Sequence, residues 1–476
     1  MWLLLLLILS LLLLMKKKIN IDRSTQKKGL PPSPPKLPII GNLHQHGELP
    51  HQSLWQLSKK YGPVMLLQLG GIPTVILSSA EAAREALKVH DLDCCSRPPL
   101  ATAPAYGDYW RQVRKICVLE LFSVKRVQSY QYIREEEVAL LVNSISLSSS
   151  SATPIDLSEK LFALTASVTF RIAFGKSFRG SDLDNERFQE VVHEAETMLG
   201  SFNASEYFPF WGWIIDKFSG RFQRLERIFH ELDNFFEHII DNHLNPHKTK
   251  QEHEDIIDVL LRIEREQTKF GAAPFTKDNI KAILMNIFLA GVDTGAITMI
   301  WAMAELAKNP RLMKKAQDEI RKFIGNKGKV TERDIGHLLY LKMIVKETLR
   351  LHPPIPLLLP RETMSHFKIN GYDIYPKMLL QKNPEEFMPE QFINNSVDYK
   401  GQLFELLPFG AGRRGCPGIY MAATTIELTL ANLLYSFDWK LPYGMKEEDI
   451  NMEELVGLCL TTHKKTPLSL VPVKFF

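Results

Sequence analysis

Residues 409–418 read Phe409-Gly410-Ala411-Gly412-Arg413-Arg414-Gly415-Cys416-Pro417-Gly418, a glycine-rich bend that presents one cysteine. Three glycines ahead of Cys416 let the backbone approach a flat ligand closely. Pro417 and the run from Ile419 open a helix, which places Cys416 at a helix N-terminus. The helix dipole there, with Arg413 and Arg414 beside it, is expected to favour the thiolate over the thiol. A thiolate on such a bend suits a single axial bond to a metal. Zinc is not indicated, because no second Cys or His lies at ligand spacing. A nucleophilic or a structural cysteine also fits the local pattern.

Outward from this loop, composition narrows the field. The chain has 476 residues, 45% hydrophobic and 24% charged, an ordinary globular balance. Lys and Arg number 58 against 54 Asp and Glu, an excess too small to argue for a nucleic-acid partner. Five cysteines exclude a disulfide scaffold and fit a reduced, cytosol-facing body. Residues 1–15 are nearly all Leu and Ile, and Lys16, Lys17 and Lys18 follow directly. No basic segment precedes the apolar run and no small-residue cleavage site follows it, so an uncleaved anchor is expected rather than a secretory leader. Fifteen helical residues reach ~22 Å, short against a ~27 Å endoplasmic-reticulum core but tolerable with thinning. Lysines on the C-terminal side predict a single-pass protein of the endoplasmic reticulum with a cytosolic body. The acceptor patterns Asn203-Ala204-Ser205 and Asn394-Asn395-Ser396 should then carry no glycan.

A basic, proline-rich hinge occupies 16–41 and a single catalytic domain 42–476. Runs at 64–69 and 74–77 flank Gly70-Gly71 and predict a hairpin. Asn370-Gly371 predicts another across 367–374, and 468–473 a further strand. Helices are expected over 81–90, 110–121, 222–242, 255–267, 277–306, 311–323, 334–351 and 419–436. Residues 144–151 read as a serine-rich loop. The fold class is therefore mainly α with small β-sheets (α+β), in one large domain.

Further pairs carry chemistry by spacing. Glu347 and Arg350 are i,i+3 neighbours on a helix ended by Pro353-Pro354; exposed, such a pair contributes only ~0.2–0.5 kcal/mol. Asp293-Thr294 interrupts an apolar helix and must find hydrogen-bond partners or line a wet cavity. Gly291 removes bulk one turn away, which favours a distortion or close ligand approach. Trp110 and Arg114 share a helix face at i,i+4, and their indole N–H and guanidinium suit carboxylates.

The loop at 409–418 matches Phe-x-x-Gly-x-Arg-x-Cys-x-Gly at every defined position and resembles the haem-thiolate loop of the cytochrome P450 superfamily. Lys346-Glu347-Thr348-Leu349-Arg350, Ala290-Gly291-Val292-Asp293-Thr294 and Trp110-Arg111-Gln112-Val113-Arg114 agree with further signatures in order and spacing, closest to microsomal, plant-type members. The resemblance implies heme b, an iron protoporphyrin IX with Cys416 as axial thiolate and metal ligand. It places Phe409, Gly410 and Gly418 in the cofactor loop, and Trp110, Arg114, Arg361 and Arg414 at the propionates. By the same resemblance Asp293 and Thr294 manage proton delivery, while Glu347 and Arg350 form a buried architectural pair. Phe288, Ala290, Leu357 and Leu358 are expected at the substrate.

Four departures accompany the match. Only 99–105 join Cys95-Ser96-Arg97-Pro98 to Tyr106-Gly107-Asp108-Tyr109-Trp110, where the family has a long loop over the distal pocket. After Tyr375-Pro376-Lys377, residues 378–382 lead almost directly to Asn383-Pro384-Glu385-Glu386-Phe387, so a sheet strand and a helix are expected to be missing. Gln391 stands where the family carries an arginine, and Gly295 where it carries Ser or Thr.

The expected activity is a membrane-bound monooxygenase. It inserts one oxygen atom from O2 into a small lipophilic substrate of secondary metabolism, terpenoid, phenolic or fatty, with NADPH electrons from a partner flavoprotein reductase. A basic face including Lys115 and Arg413 is the expected docking surface. The aromatic stretch 207–215 reads equally as membrane-facing channel mouth or as core. Alternatives are a haem-thiolate isomerase or dehydratase and a degraded, haem-free relative.

Overall fold

A computed structural model of the chain describes residues 29–98, 104–149, 153–175, 191, 194–195, 197–198, 203–245, 253–266, 274–381, 398–455 and 461–475. The expected anchor at 1–15, the hinge up to residue 28, Gln391, the motif at 383–387 and the acceptor pattern at 394–396 lie outside these. The described strands are β1 (Val64–Leu69), β2 (Ile72–Leu77), β3 (Ile155–Asp156), β4 (Arg361–Glu362), β5 (Phe367–Ile369), β6 (Tyr372–Ile374), β7 (Leu379–Gln381), β8 (Phe437–Lys440) and β9 (Ser469–Lys474). The described residues fall into two compact units.

The first unit combines 29–98, 203–215 and 359–381. Helix α1 (Pro50–Tyr61) starts on a proline, whose missing N–H costs nothing at a helix start. Strands β1 and β2 form the expected hairpin, with Gly70 at φ +57° in the turn. Helix α2 (Ala80–Arg84) is capped by the Ser79 hydroxyl, which accepts from Ala82 N–H at 3.2 Å, and 85–89 then widen into a π turn. Strand β7 pairs parallel with β2 and antiparallel with β4, giving the order β1-β2-β7-β4. The expected loss of a sheet strand after Lys377 is thus not observed: a three-residue strand follows almost at once. Leu379 registers on Thr74 and Leu380 on Val75, so a short segment suffices to bridge β2 to β4. Strands β5 and β6 form the second expected hairpin, with Asn370 at φ +49° and Gly371 at φ +80°, the double positive φ of a type I′ turn.

The second unit holds most of the helices. In chain order the longer ones are α3 (Asp108–Ile116), α4 (Gln131–Ser149), α5 (Leu157–Phe174), α6 (Arg221–Leu244), α7 (Ile256–Glu266), α8 (Lys277–Lys308), α9 (Pro310–Ile324), α10 (Leu339–Leu351) and α11 (Ile419–Ser436). The serine-rich loop expected from residue 144 is instead helical through Ser149. Ser144 and Ser149 satisfy their hydroxyls on the carbonyls of Leu141 (2.8 Å) and Ser146 (2.7 Å), so serine does not break the helix. The helix expected over 334–351 is two pieces, Glu332–Ile335 and α10. Asp334 turns back to cap the first piece, accepting from Thr331 N–H at 3.0 Å and Thr331 Oγ1 at 2.7 Å. Beyond α3, 117–121 continue as a π turn.

Helix α8 is the core element. Its C-terminal half, from Gly295 to Ala307, is buried throughout, with Trp301 fully enclosed. Among the described residues it alone is long and apolar enough to cross a membrane, but more than half of its apolar window is buried in the protein. It packs on α5 through small residues four apart. A Cβ at Gly291 would lie 3.1 Å from Thr169 Oγ1, and one at Gly295 3.4 Å from Thr165 Cγ2. Gly291 therefore serves close helix approach, and α8 runs through it without a break, contrary to the expected distortion. A small sheet of order β3-β9-β8 completes the unit and includes the expected C-terminal strand.

Candidate functional site

The cysteine loop is built by backbone bonds. Cys416 N–H donates to Phe409 O at 2.8 Å, Gly410 N–H to Leu407 O at 3.0 Å, and Gly415 N–H to Gly412 O at 3.0 Å. Gly410 (φ +67°) and Gly412 (φ +66°) occupy the left-handed region that a Cβ disfavours. Helix α11 begins at Ile419, and Gly418 N–H, just ahead of it, donates to the Cys416 sulfur. The Cys416 side chain is exposed by area, yet protein atoms crowd around it. Burial among these atoms pushes its thiol pKa up. The opposing influences are the Gly418 N–H and the Arg114 charge. The expected roles of Arg413 and Arg414 in favouring the thiolate are not observed. Arg414 is turned away, with its guanidinium 4.2 Å from the Trp110 ring and Nη2 donating to Pro104 O at 3.0 Å. Metal coordination, which deprotonates a thiol outright, would supply what the loop itself does not.

Trp110, Arg114 and Arg414 lie together around this loop. Arg114 Nη2 donates to Gly415 O at 2.5 Å. Burial lowers the Arg114 pKa, only the two sulfurs of Cys117 and Cys416 oppose that, and no carboxylate among the described residues lies within ion-pair reach. A desolvated cation without an anion is costly, and a carboxylate-bearing ligand would complete it. Arg361 belongs to the first unit, on β4. It is buried, and its Nη1 lies 2.9 Å from Asp91 Oδ1.

On α8 the exposure pattern inverts locally. Ala290 and Gly291 are exposed in the middle of the helix, and Thr294 is half-buried. Thr294 Oγ1 donates to Ala290 O at 2.8 Å. Asp293 is buried; its Oδ1 has no hydrogen-bond partner, and its Oδ2 lies 3.2 Å from His463 Nε2. Phe288 sits in the hydrophobic core, edge-on to Phe170 at 5.6 Å. Leu357 and Leu358 are half-buried, with Leu358 at φ +55°. An accessible thiol on a glycine-built loop beside an anion-seeking arginine fits haem and a propionate better than a structural cysteine.

Glu347 is fully buried at the C-terminal end of α10, and Arg350 grips it with two bonds of 2.8 and 3.1 Å. Sequence reasoning missed a second buried network. Trp301 stacks on His352 with centroids 4.0 Å apart, His352 Nε2 lies 2.8 Å from Glu305 Oε1, and Trp301 Nε1 donates to Thr462 O at 3.0 Å. Only the i,i+4 spacing of Trp301 and Glu305 hinted at it. Gly410 to Gly415 also has the Gly-x-Gly-x-x-Gly spacing of a dinucleotide turn. No strand leads into it across 398–408, so the strand-turn-helix context that gives the motif meaning is missing.

Comparison with known proteins agrees. The family model for cytochrome P450 matches residues 31–468. Cytochrome P450 71B34 of Arabidopsis thaliana is 55% identical over 470 residues, covering 94% of this chain and 93% of its own. Cytochrome P450 71B36 and 71B37 of the same plant are 53% identical, over 94% and 96% of this chain and 93% and 96% of their own lengths. With that coverage and these motifs, the chain belongs to the cytochrome P450 family of haem-thiolate monooxygenases, predominantly helical with small sheets.

Proposed function

We propose that this monooxygenase inserts one oxygen atom from O2 into a small lipophilic substrate, using NADPH electrons delivered by a separate flavoprotein reductase at the endoplasmic-reticulum membrane. Cys416 is the axial ligand in this reading. Trp110, Arg114 and Arg414 hold propionates, and Arg361 contributes if it exchanges part of its Asp91 contact. When bound, haem with a thiolate ligand favours cleavage of the O–O bond. The protein's own residues do the rest. The backbone bond from Cys416 to Phe409 fixes the sulfur, and Arg114 offsets negative charge. Thr294 holds a hydroxyl proton on the accessible turn of α8, and Asp293 holds a carboxylate behind it. Ala290 and the half-buried Ile355, Leu357 and Leu358 present apolar surface, which favours a substrate without charge.

The single observation that carries the assignment is the desolvated Arg114, with no carboxylate partner among the described residues, beside the accessible Cys416. Membrane contact is supported by the 207–215 stretch of the first unit. Phe208 is buried, but Phe210 is 92% exposed, with Trp211, Trp213, Ile214 and Ile215 also exposed. Lys115 and Arg413 are exposed, which suits an acidic docking partner. The test is a reduced, carbon-monoxide-bound difference spectrum of the full chain. The expected result is the thiolate-ligated Soret band, abolished in Cys416→Ala. Survival of the band in that variant would refute the ligand.

A further inference from the structure

The Asp293 carboxylate has an unexpected neighbour. His463, 170 positions along the chain, places Nε2 at 3.2 Å from Asp293 Oδ2 and 3.0 Å from Thr461 Oγ1. The contact with Asp293 is at ion-pair distance, and the hydrogen bond that Nε2 shares with Thr461 runs in the direction its protonation sets, so a proton on Nε2 faces the Asp293 carboxylate. The ring is not adrift. Residue 462 beside it is fixed three ways: its N–H donates to Pro354 O at 2.9 Å, its hydroxyl to Pro353 O at 2.8 Å, and its carbonyl accepts from Trp301 Nε1 at 3.0 Å. Phe162 of α5 covers the ring face at 6.0 Å. The histidine side chain nevertheless keeps 27% of its surface accessible, while Asp293 keeps 5%.

We infer that His463 is a positioning and proton-relay residue, which carries protons from solvent to the buried Asp293 and holds that carboxylate toward the reaction site. The inference rests on the monooxygenase reading above. Asp293 alone cannot reload from water, because it is buried and its Oδ1 has no partner. His463 bridges the two environments through its two nitrogens. Nδ1 takes a proton from water to give the imidazolium, the Nε2 proton passes to Asp293 Oδ2, and the ring regains its starting form when Nε2 takes a proton from a second water as Nδ1 releases its own to solvent. Nothing is oxidised or reduced in this step. Among the described residues, the groups facing the ring leave it to this pair. From α5 the facing side chain is Phe162, with Thr165 and Thr169 against α8, none of which titrates. From α8 it is Asp293. On its own segment Lys464 turns its ammonium to Thr466 at 2.9 Å, and Glu454 joins Lys464 through a backbone bridge.

The test uses the full-length holoprotein with His463→Gln and His463→Leu. Gln keeps a donor near Asp293 but cannot carry a proton through. The expected result for Gln is an unchanged carbon-monoxide spectrum and a melting temperature near wild type, while Leu melts lower. During NADPH oxidation with reductase, hydrogen peroxide released per NADPH rises about tenfold in Gln, below the ~10²–10⁴-fold of a direct acid because His463 acts one group removed. The wild-type pH profile of that ratio carries an inflection that both variants lack. A wild-type peroxide ratio and pH profile in His463→Gln would overturn the relay. Equal melting of wild type and Leu would overturn the contact itself. Failure of the monooxygenase reading is distinct, because wild type would then show no thiolate band.

Discussion

Replacing Arg350 with Met tests whether burial has converted a weak helical pair into a structural one. Glu347 is fully buried and accepts two bonds from Arg350, at 2.8 and 3.1 Å. An exposed i,i+3 pair would contribute ~0.2–0.5 kcal/mol. Removing one partner of a buried pair instead costs ~3–5 kcal/mol, because the other charge is left in a dry site. Unfolding entropy near ~2.1 cal/mol/K per residue gives about 1 kcal/mol/K over 476 residues. The expected drop in melting temperature is therefore ~3–5 °C for Arg350→Met. The double variant Glu347→Leu, Arg350→Met removes both charges and should recover to within about 2 °C of wild type. Scanning calorimetry of the holoprotein reads both, with the carbon-monoxide spectrum as a check that the native site persists before melting. A shift below about 1 °C in the single variant, the value for a solvated pair, would refute the reasoning.

Gly291→Val should lower stability by ~1–3 kcal/mol by overpacking α8 against α5. Adding Thr169→Ala should restore most of it, since Thr169 supplies the 3.1 and 3.3 Å contacts; lack of rescue in a melting experiment would remove this packing account. Asp334 yields a pH prediction. Burial works to raise its pKa, but the Thr331 N–H and hydroxyl and the Lys327 ammonium outweigh it, and the folded value lies below the ordinary one. Stability from this group is present above the unfolded value of ~3.9 and is lost as pH falls through the lower folded value. Asp334→Asn should therefore be less stable at neutral pH and flatter in acid unfolding; an unchanged acid limb would count against it.

What could be read from sequence was local. Asn370-Gly371 declared its hairpin because two positive φ angles are needed within two residues. Pro353-Pro354 ended α10 as the spacing required, and α11 spans 419–436 as expected. The cysteine loop was legible for the same reason: its bonds run between residues at most seven apart. What was hidden was distant or cooperative. Helices α4 and α5 carry no clean apolar stripe, since α5 is buried on several sides and α4 ends in serines. The β7 strand was concealed because only three residues pair, and its partners lie hundreds of positions away or across a turn. The Asp293–His463 and Trp301–Thr462 contacts join segments more than 160 residues apart, with no periodicity to reveal them.

Electrostatics separates residues that motif matching groups together. Arg134, Arg171, Arg350 and Arg361 are each largely buried, and each faces a carboxylate: Glu332, Glu137, Glu347 and Asp91 in turn. Such cations are complete as they stand, and their role is explained by the fold. Arg114 is also desolvated, but its bond goes to the Gly415 carbonyl, which carries no net charge. Sequence assigned Arg114 and Arg361 the same propionate role. The structure gives them different starting points: for Arg114 an anionic ligand adds a partner, whereas for Arg361 it must compete with Asp91. An anion at Arg361 gains less by whatever the Asp91 pair is worth. Arg114 is thus the residue whose isolation makes sense only with a negatively charged group beside Cys416.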